Sequence, residues 1–195
     1  MLVPKSRIQK GFTLVELLIV VIILAILAAI VVPQFASSTD DAKLSSLDSN
    51  LTTMRSAIEL YYHQHSANYP GAKTAIPTAC GVTAPVGTGD ASDAAKQATA
   101  FIEQLTLYTD VNGQACGKKD TTYKFGPYLK KATLPENPIT SKNALAVVSA
   151  GALGLSSGIS DGTGGWKYDN LTGQFIADDD RTIPNSSPAT TYDAR

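Results

Sequence analysis

Residues 10–22 read Lys-Gly-Phe-Thr-Leu-Val-Glu-Leu-Leu-Ile-Val-Val-Ile and open the apolar run that decides how this chain is organised. Every residue from Leu17 to Val32 is Leu, Ile, Val or Ala. These 16 residues fall just short of the ~18 that define a membrane-spanning helix, whereas counting from Phe12 gives 21. Because the only charges in the first fifteen residues are basic, the pattern fits a secretory signal peptide or a membrane anchor.

Glu16 separates these alternatives. A carboxylate costs about 2.5–3.5 kcal/mol at the centre of a bilayer and less near its edge. Neither a signal peptide nor an inert anchor gains anything from that cost. Either the side chain lies at the level of the lipid headgroups and stays hydrated, or it pairs with a cation.

The segment from Lys10 to Ile22 resembles the prepilin N-terminus of type IV pilins and type II secretion pseudopilins, and the likeness extends over about residues 5–35. The resemblance implies that a prepilin peptidase cleaves between Gly11 and Phe12 and then methylates the new amine of Phe12. Residues 1–11 would therefore be a leader peptide, and the apolar run would remain in the product.

The same resemblance implies a role for Glu16 in assembly. In this family the glutamate pairs with the terminal amine of a neighbouring subunit and sets the register. Glu16 would lie in the first turn of a helix, where the helix dipole favours an anion. Pairing removes most of the cost of a charge among apolar side chains.

Beyond the apolar run the predicted helix becomes amphipathic. Pro33 lacks an amide donor and predicts a kink or local melting. Asn68 and Pro70 supply stop signals, so the long helix is predicted over residues 12–66. One apolar stripe, spaced in steps of three and four, is predicted to pack against a head domain: Leu44, Leu47, Leu51, Met54, Ile58 and Tyr61.

Residues 67–195 are predicted to form this head, which gives an α+β, pilin-like fold with one long helix on a small antiparallel sheet. Apolar spacing between Asp90 and Thr109 predicts a second helix with Ser92 as its N-cap. From Asp178 onward the chain is predicted to be a flexible polar tail. Strands are predicted at Ala144–Ser149, Trp166–Asp169 and Gln174–Ala177, the last two joined as a hairpin by Asn170–Gly173.

Three short segments of the head resemble major pseudopilins: Asn68-Tyr69-Pro70, Gly126-Pro127-Tyr128-Leu129 and Leu134-Pro135-Glu136-Asn137-Pro138. Two features depart from that group. Ile139-Thr140 stands where an aromatic–glycine pair is typical. The group's late acidic segment, which leads to a tryptophan near the C-terminus, is absent, and Trp166 is followed instead by the predicted hairpin. Despite these two departures, the three shared segments favour a pseudopilin over an adhesive pilin.

Cys80 and Cys116 are the only cysteines in the chain. Two cysteines cannot build a disulfide-rich miniprotein or a four-thiolate zinc site. In an extracytoplasmic head they are predicted to form one disulfide, with free thiols as the alternative.

The charge composition gives no case for a nucleic-acid-binding protein. The 195 residues include 16 basic and 17 acidic side chains, for a net charge of −1. Five lysines form a local basic cluster that is predicted to be solvated, although a filament displaying it repeatedly could bind an anionic polymer such as DNA: Lys118, Lys119, Lys124, Lys130 and Lys131.

No catalytic or cofactor-binding site is predicted. His63 and His65, the only histidines, lie at i and i+2 on a helix and are predicted to be surface residues. The glycine-rich segment Gly158–Gly164 lacks the lysine of a phosphate-binding loop. Major pseudopilins are known as a group for a calcium site near the late acids, but EF-hand spacing is missing, so solvated turn acids are predicted and calcium stays an alternative: Asp161, Asp169, Asp178, Asp179 and Asp180.

Together these features predict a structural subunit of a helical envelope filament, with the major pseudopilin of a type II secretion system as the first choice. A type IV pilin for adhesion, twitching motility or DNA uptake is the alternative, as is a membrane-anchored extracytoplasmic protein of unrelated function. The implied partners are further copies of the chain, prepilin peptidase, minor pilins or pseudopilins, and an inner-membrane assembly platform. The implied location is the bacterial inner membrane, spanned once, with the head outside the cytoplasm.

Overall fold

The computed structural model describes residues 12–81, 85–151, 164–179, 181–183 and 190–192. The chain divides into two compact units, residues 1–42 and 43–195. Helix α1, Leu14–Gln64, contributes residues to both units. The predicted α+β, pilin-like class is confirmed by this helix, a second helix and two small sheets.

The described part of the first unit is the N-terminal half of α1. The stretch Leu14–Val32 is long and apolar enough, by length and composition, to cross a membrane, and none of it is buried within the molecule. A helix that is apolar on every side needs a cover of lipid or protein. Residue 33, the proline, lies inside the continuous helix, and the kink there stays a prediction.

In the second unit α1 supplies the central element of the core. The predicted apolar stripe is confirmed, since its members from Leu47 to Tyr61 are at most 1% exposed and Leu44 is partly buried. The stripe belongs to one cluster with α2 and the larger sheet. Four aromatic side chains of that cluster stack or tilt against one another: Phe101, Tyr168, Trp166 and Phe175.

Helix α2, Ala94–Thr106, is shorter than the sequence pattern predicts. Its N-cap is Asp93 and not Ser92, because the Asp93 carboxylate accepts the amide of Lys96 at 2.9 Å. The helix ends before Tyr108–Thr109, which form strand β1. The prediction of helix as far as Thr109 is therefore wrong.

Two sheets complete the fold. Strand β1 pairs antiparallel with β2, Ala115–Cys116. The larger sheet has the order β3-β4-β5 and contains Leu145–Val148, Trp166–Asp169 and Phe175–Ala177. The predicted hairpin of β4 and β5 is confirmed as antiparallel, whereas β3 runs parallel to β4, so this sheet is mixed.

Gly173 is fixed by the tight turn between β4 and β5. Its φ of 74° lies in the left-handed region that favours glycine, and a Cβ there would overlap the ring of Tyr69. The hairpin therefore packs directly on the Asn68-Tyr69-Pro70 segment that follows α1.

Gln104 of α2 holds two loops through its side chain, which is 0% exposed. Its Oε1 accepts the amide of Gly71 at 2.7 Å. Its Nε2 donates to the carbonyls of Lys73 at 3.0 Å and Gly113 at 2.9 Å. These bonds satisfy a buried amide that would otherwise destabilise the core.

The described part of the C-terminal segment packs onto the core although its composition predicts a polar tail. Ile183 and Tyr192 are 4% and 7% exposed and belong to the main cluster. The amide of Ile183 donates to the carbonyl of Thr190 at 2.8 Å, so the two ends of this segment pair with each other.

Candidate functional site

The start of α1 carries the site that the sequence points to. Thr13 precedes the helix, and Glu16 lies in its first turn. Glu16 Oε2 accepts both the Thr13 amide, at 2.9 Å, and the Thr13 hydroxyl, at 2.7 Å. The Glu16 amide in turn donates to Thr13 Oγ1 at 3.2 Å. This reciprocal arrangement is a capping box, which satisfies amides that a helix start leaves without partners.

The capping box gives Glu16 a structural role that is distinct from the predicted pairing between subunits. The pattern Thr-x-x-Glu is visible at residues 13–16 and is itself a signal for a helix start. In the structure Glu16 Oε1 makes no hydrogen bond with any described residue, so one carboxylate oxygen stays available to an outside donor. The carboxylate is thus held by its own helix and still able to bind a cation.

The surroundings of Glu16 are apolar along the chain. It is the only charged residue between Lys10 and Asp40. Phe12 lies four positions earlier and is 79% exposed. The large apolar side chains from Leu14 to Val32 are exposed as well. Residue 12 lies outside α1, immediately before the N-cap Thr13 and four positions before Glu16. Gly11 lies outside the described residues.

The capping box makes Thr13 a testable position. Thr13→Val removes the hydroxyl and should weaken the first turn by about 1 kcal/mol. Hydrogen exchange of the Val15 and Glu16 amides in detergent-solubilised protein should then accelerate about fivefold, the factor that corresponds to ~1 kcal/mol. Thr13→Ser keeps the hydroxyl and should leave exchange within about twofold of the original. Equal exchange in the two variants would contradict the cap.

His65 is buried, so the prediction of a surface histidine is wrong for this residue. Its side chain is 1% exposed and stacks on the ring of Tyr61 with a centroid separation of 3.7 Å. Nδ1 donates to the Tyr61 carbonyl at 2.8 Å, and Nε2 accepts the Thr109 hydroxyl at 2.9 Å. The signal was present in the sequence, because His65 is four residues after Tyr61 and continues the buried stripe.

Burial lowers the pKa of His65, and the nearby Asp110 carboxylate opposes this shift. The ordinary imidazole pKa is about 6.5, so the unfolded chain binds the proton first as the pH falls. The stabilisation that depends on neutral His65 should therefore be fully present above about pH 6.5. It should decline below that pH, until His65 is protonated in the folded protein as well. Other titratable groups that face the ring are Tyr61 and Tyr128, both with a raised pKa from burial.

This pH dependence is expected to disappear in His65→Gln. Urea unfolding between pH 5 and 8 can be followed by fluorescence of Trp166, the single tryptophan, which is 0% exposed. The control is His63→Gln, because His63 is exposed and only two residues away. The control should keep the decline toward pH 5. A decline of the same size in His65→Gln would assign it to other groups.

The late acids are not solvated, which corrects their prediction as exposed turn residues. Asp169, Asp178 and Asp179 are at most 2% exposed. Asp169 accepts the Leu171 amide and Asp178 the Gly164 amide, each at 2.8 Å, while Asp179 pairs with Arg181. Among the described residues no group of three or more histidines, cysteines or acids could hold a metal. Asp161 and Asp180 lie outside the described residues, and calcium stays a prediction.

The remaining predicted residues are placed as follows. Cys80 and Cys116 are joined by a disulfide. The two cysteines are 36 positions apart in the sequence, and the whole of α2 lies between them. The five lysines of the predicted cluster are all exposed, and Lys124 lies over the Phe125 ring at 5.2 Å. Of the glycine-rich segment Gly158–Gly164, only Gly164 is described.

Comparison with known proteins identifies the N-terminal site. The family model for the prokaryotic N-terminal methylation motif matches residues 6–32, which include the capping box and Glu16. The chain carries the prokaryotic N-terminal methylation motif. The resemblance to type IV pilins and type II secretion pseudopilins is thereby confirmed over this segment.

Curated relatives of both kinds match part of the chain. Type II secretion system core protein G of Pseudomonas aeruginosa is 40% identical over 72 residues, which are 37% of this chain and 50% of that protein. The type IV narrow pilus major component PilA5 of Thermus thermophilus is 50% identical over 48 residues, 25% of this chain and 41% of the relative. Type IV major fimbrial protein FimA of Dichelobacter nodosus is 50% identical over 54 residues, 28% and 35% of the two chains.

The match thus spans half or less of the length of these relatives. No solved structure matches the chain.

Proposed function

We propose that the chain is a structural subunit of a helical filament in a bacterial cell envelope, and specifically the major pseudopilin of a type II secretion system. The observation that carries this proposal is the methylation motif at the start of the apolar span Leu14–Val32, whose only charge is Glu16. One carboxylate oxygen of Glu16 makes no hydrogen bond with a residue that the structure describes. The proposed work is mechanical, namely stacking of subunits through their apolar helices.

The exposed apolar surface of residues 14–32 supports a subunit that exchanges one cover for another. Isolated, this surface is suited to lipid, because by length and composition it can span a membrane. In a filament the same surface would be covered by the helices of neighbouring copies. The head would face outward, and its disulfide supports a location outside the reducing cytoplasm.

Processing completes the proposed mechanism. Prepilin peptidase would hydrolyse the peptide bond between Gly11 and Phe12, and methylation would follow on the new amine of Phe12. That amine is a cation, and Glu16 Oε1 of a neighbouring copy is free to accept from it. A pair of opposite charges in an apolar bundle costs far less than either charge alone, so correct stacking is favoured over slipped registers.

The choice of a pseudopilin over a type IV pilin rests on the head. The segments Asn68–Pro70, Gly126–Leu129 and Leu134–Pro138 resemble major pseudopilins. The alternative type IV pilin is supported by the higher identity of the two pilus components, 50% over 48 and 54 residues. Partners of either kind of filament would be minor subunits and an inner-membrane platform.

Mass spectrometry of protein isolated from cells is the first test of this function. The expected product begins at a methylated Phe12, because the motif matches residues 6–32 and the peptidase would act at residue 11. A product that begins near Thr39 would indicate a secretory signal peptide. An intact Met1 would indicate a plain membrane anchor. Either result would remove the basis for a filament subunit.

Deletion of the coding gene distinguishes the two filament systems. Loss of protein secretion without loss of surface filaments is the result expected of a secretion pseudopilin. Loss of filaments visible outside cells under native expression, with secretion unchanged, would contradict that choice and support the pilin alternative.

A further inference from the structure

A cleft of about 580 Å³ lies in the second unit between α1 and the segment that follows Tyr128. Met54 and Leu134, which are 1% and 6% exposed, contribute the apolar part of its lining together with Leu129 and Pro135. The rim carries cations and amides. An apolar floor with a few polar groups around it is typical of a binding site.

Two lysines give the rim a positive charge. Lys130 and Lys131 are both exposed, and neither forms a salt bridge with any residue that the structure describes. Glu136 is the single acid of the lining, so the rim has a net charge of +1, from two cations and one anion. Carboxylates of a ligand would therefore be favoured near the two lysines.

The amide side chains at the cleft are available for a peptide backbone. Asn143 is exposed and makes no side-chain hydrogen bond within the described residues. Asn50 donates to the Glu136 carbonyl only at 3.4 Å, near the limit for such a bond. Each amide offers both a donor and an acceptor, which is the combination that an extended peptide backbone requires.

The shape of the site favours a peptide over a nucleic acid. No aromatic side chain lines the cleft, so bases would have no stacking surface. A duplex bound through its phosphates would not use a concave apolar floor. An extended peptide with alternating acidic and apolar residues uses both parts, since successive side chains point to opposite sides.

We propose that this cleft binds an extended acidic peptide segment of a partner protein, with apolar side chains on the Met54–Leu134 floor and carboxylates at Lys130 and Lys131. The proposal is independent of the filament function, because it uses none of the residues of the N-terminal site.

The test uses the full chain in detergent micelles and a fluorescein-labelled peptide of alternating Glu and Leu, with binding measured by fluorescence anisotropy. The double variant Lys130→Glu with Lys131→Glu should weaken binding about tenfold or more. Lys118→Glu with Lys119→Glu is the matched control, since it makes the same change of charge at exposed lysines that do not line the cleft. The control should change affinity less than about twofold.

Two further measurements sharpen the test. Glu136→Gln removes the opposing charge and should tighten binding about twofold or more. A peptide of alternating Glu and Ser should bind at least about fivefold more weakly, because it has no apolar side chain for the floor.

Four results would overturn the proposal. Absence of measurable binding would do so directly. Equal losses in the two lysine pairs would assign binding to diffuse charge. Equal affinity for the Glu-Ser peptide would remove the floor from the interaction, and tighter binding of duplex DNA would assign the surface to a nucleic acid.

Discussion

Glu16→Gln should leave the subunit processed at Phe12 and absent from filaments. Glutamine can replace glutamate in a capping box, so the first turn of α1 keeps its cap. It cannot balance the charge of a neighbouring amine, which would then be buried alone among apolar side chains. Removing one partner of such a pair costs about 3–5 kcal/mol, enough to reduce incorporation by more than about a hundredfold.

Two other substitutions place this result in a series. Glu16→Ala removes the charge and the Glu16 half of the capping box, and Glu16→Lys adds a repulsive cation, so both should also fail to assemble. Cleavage should persist in all three variants, because the proposed cleavage site, between Gly11 and Phe12, lies outside the substituted position. The three variants therefore separate helix capping from charge pairing.

The measurement compares processed subunit in membranes with subunit in sheared filaments, both by immunoblot, and records exchange of the Thr13 amide, which donates to Glu16 Oε2. Glu16→Gln should show near-normal exchange and no subunit in the filament fraction. Glu16→Ala should show faster exchange and, likewise, no subunit in the filament fraction. Normal polymerisation of Glu16→Gln would show that the charge is dispensable. In that case the capping box with Thr13 would account for the glutamate on its own.

Loss of the Cys80–Cys116 bond should lower the free energy of unfolding of the head by about 2–5 kcal/mol. The bond closes a loop across 36 positions, and the loop includes α2 and β1. Without it the unfolded chain gains the conformational freedom that the cross-link denies it. Double substitution to alanine is the variant of choice, because Cys116 is 0% exposed and a serine there would bury a hydroxyl.

Urea unfolding followed by Trp166 fluorescence provides the measurement, since this single tryptophan is completely buried and donates from Nε1 to the Pro135 carbonyl at 2.8 Å. The matched control is the unsubstituted chain with and without reductant, which removes the cross-link and keeps both sulfur atoms. Reduction should reproduce most of the shift. A double-alanine variant within about 0.5 kcal/mol of the oxidised chain would show that the cross-link contributes little.

Local patterns in the sequence predict the elements whose structure depends on neighbours along the chain. The stripe from Leu44 to Tyr61 follows from helical periodicity, and the β4–β5 hairpin follows from the turn residues Asn170–Gly173. The capping box at residues 13–16 belongs to the same class. It is a local signal, and it explains the hydrogen bonds between Glu16 and Thr13, which the family resemblance does not address.

The elements that escaped prediction depend on contacts between distant residues. Strands β1 and β2 have two residues each and are held by isolated bridges from Val86 and Phe125. The parallel partner of β3 lies across residues 149–165, so no turn signal connects the two strands. The buried Asp178 carboxylate accepts the Gly164 amide, a contact between residues 14 positions apart that no local pattern reveals.

The Gln104 side chain has a consequence for the way the head opens. A single amide satisfies residues 71–73 on one side and residue 113 on the other, so neither loop can detach without leaving the amide partly unsatisfied in the protein interior. Both loops should consequently become accessible to solvent in one cooperative fluctuation and exchange their protons at a common rate.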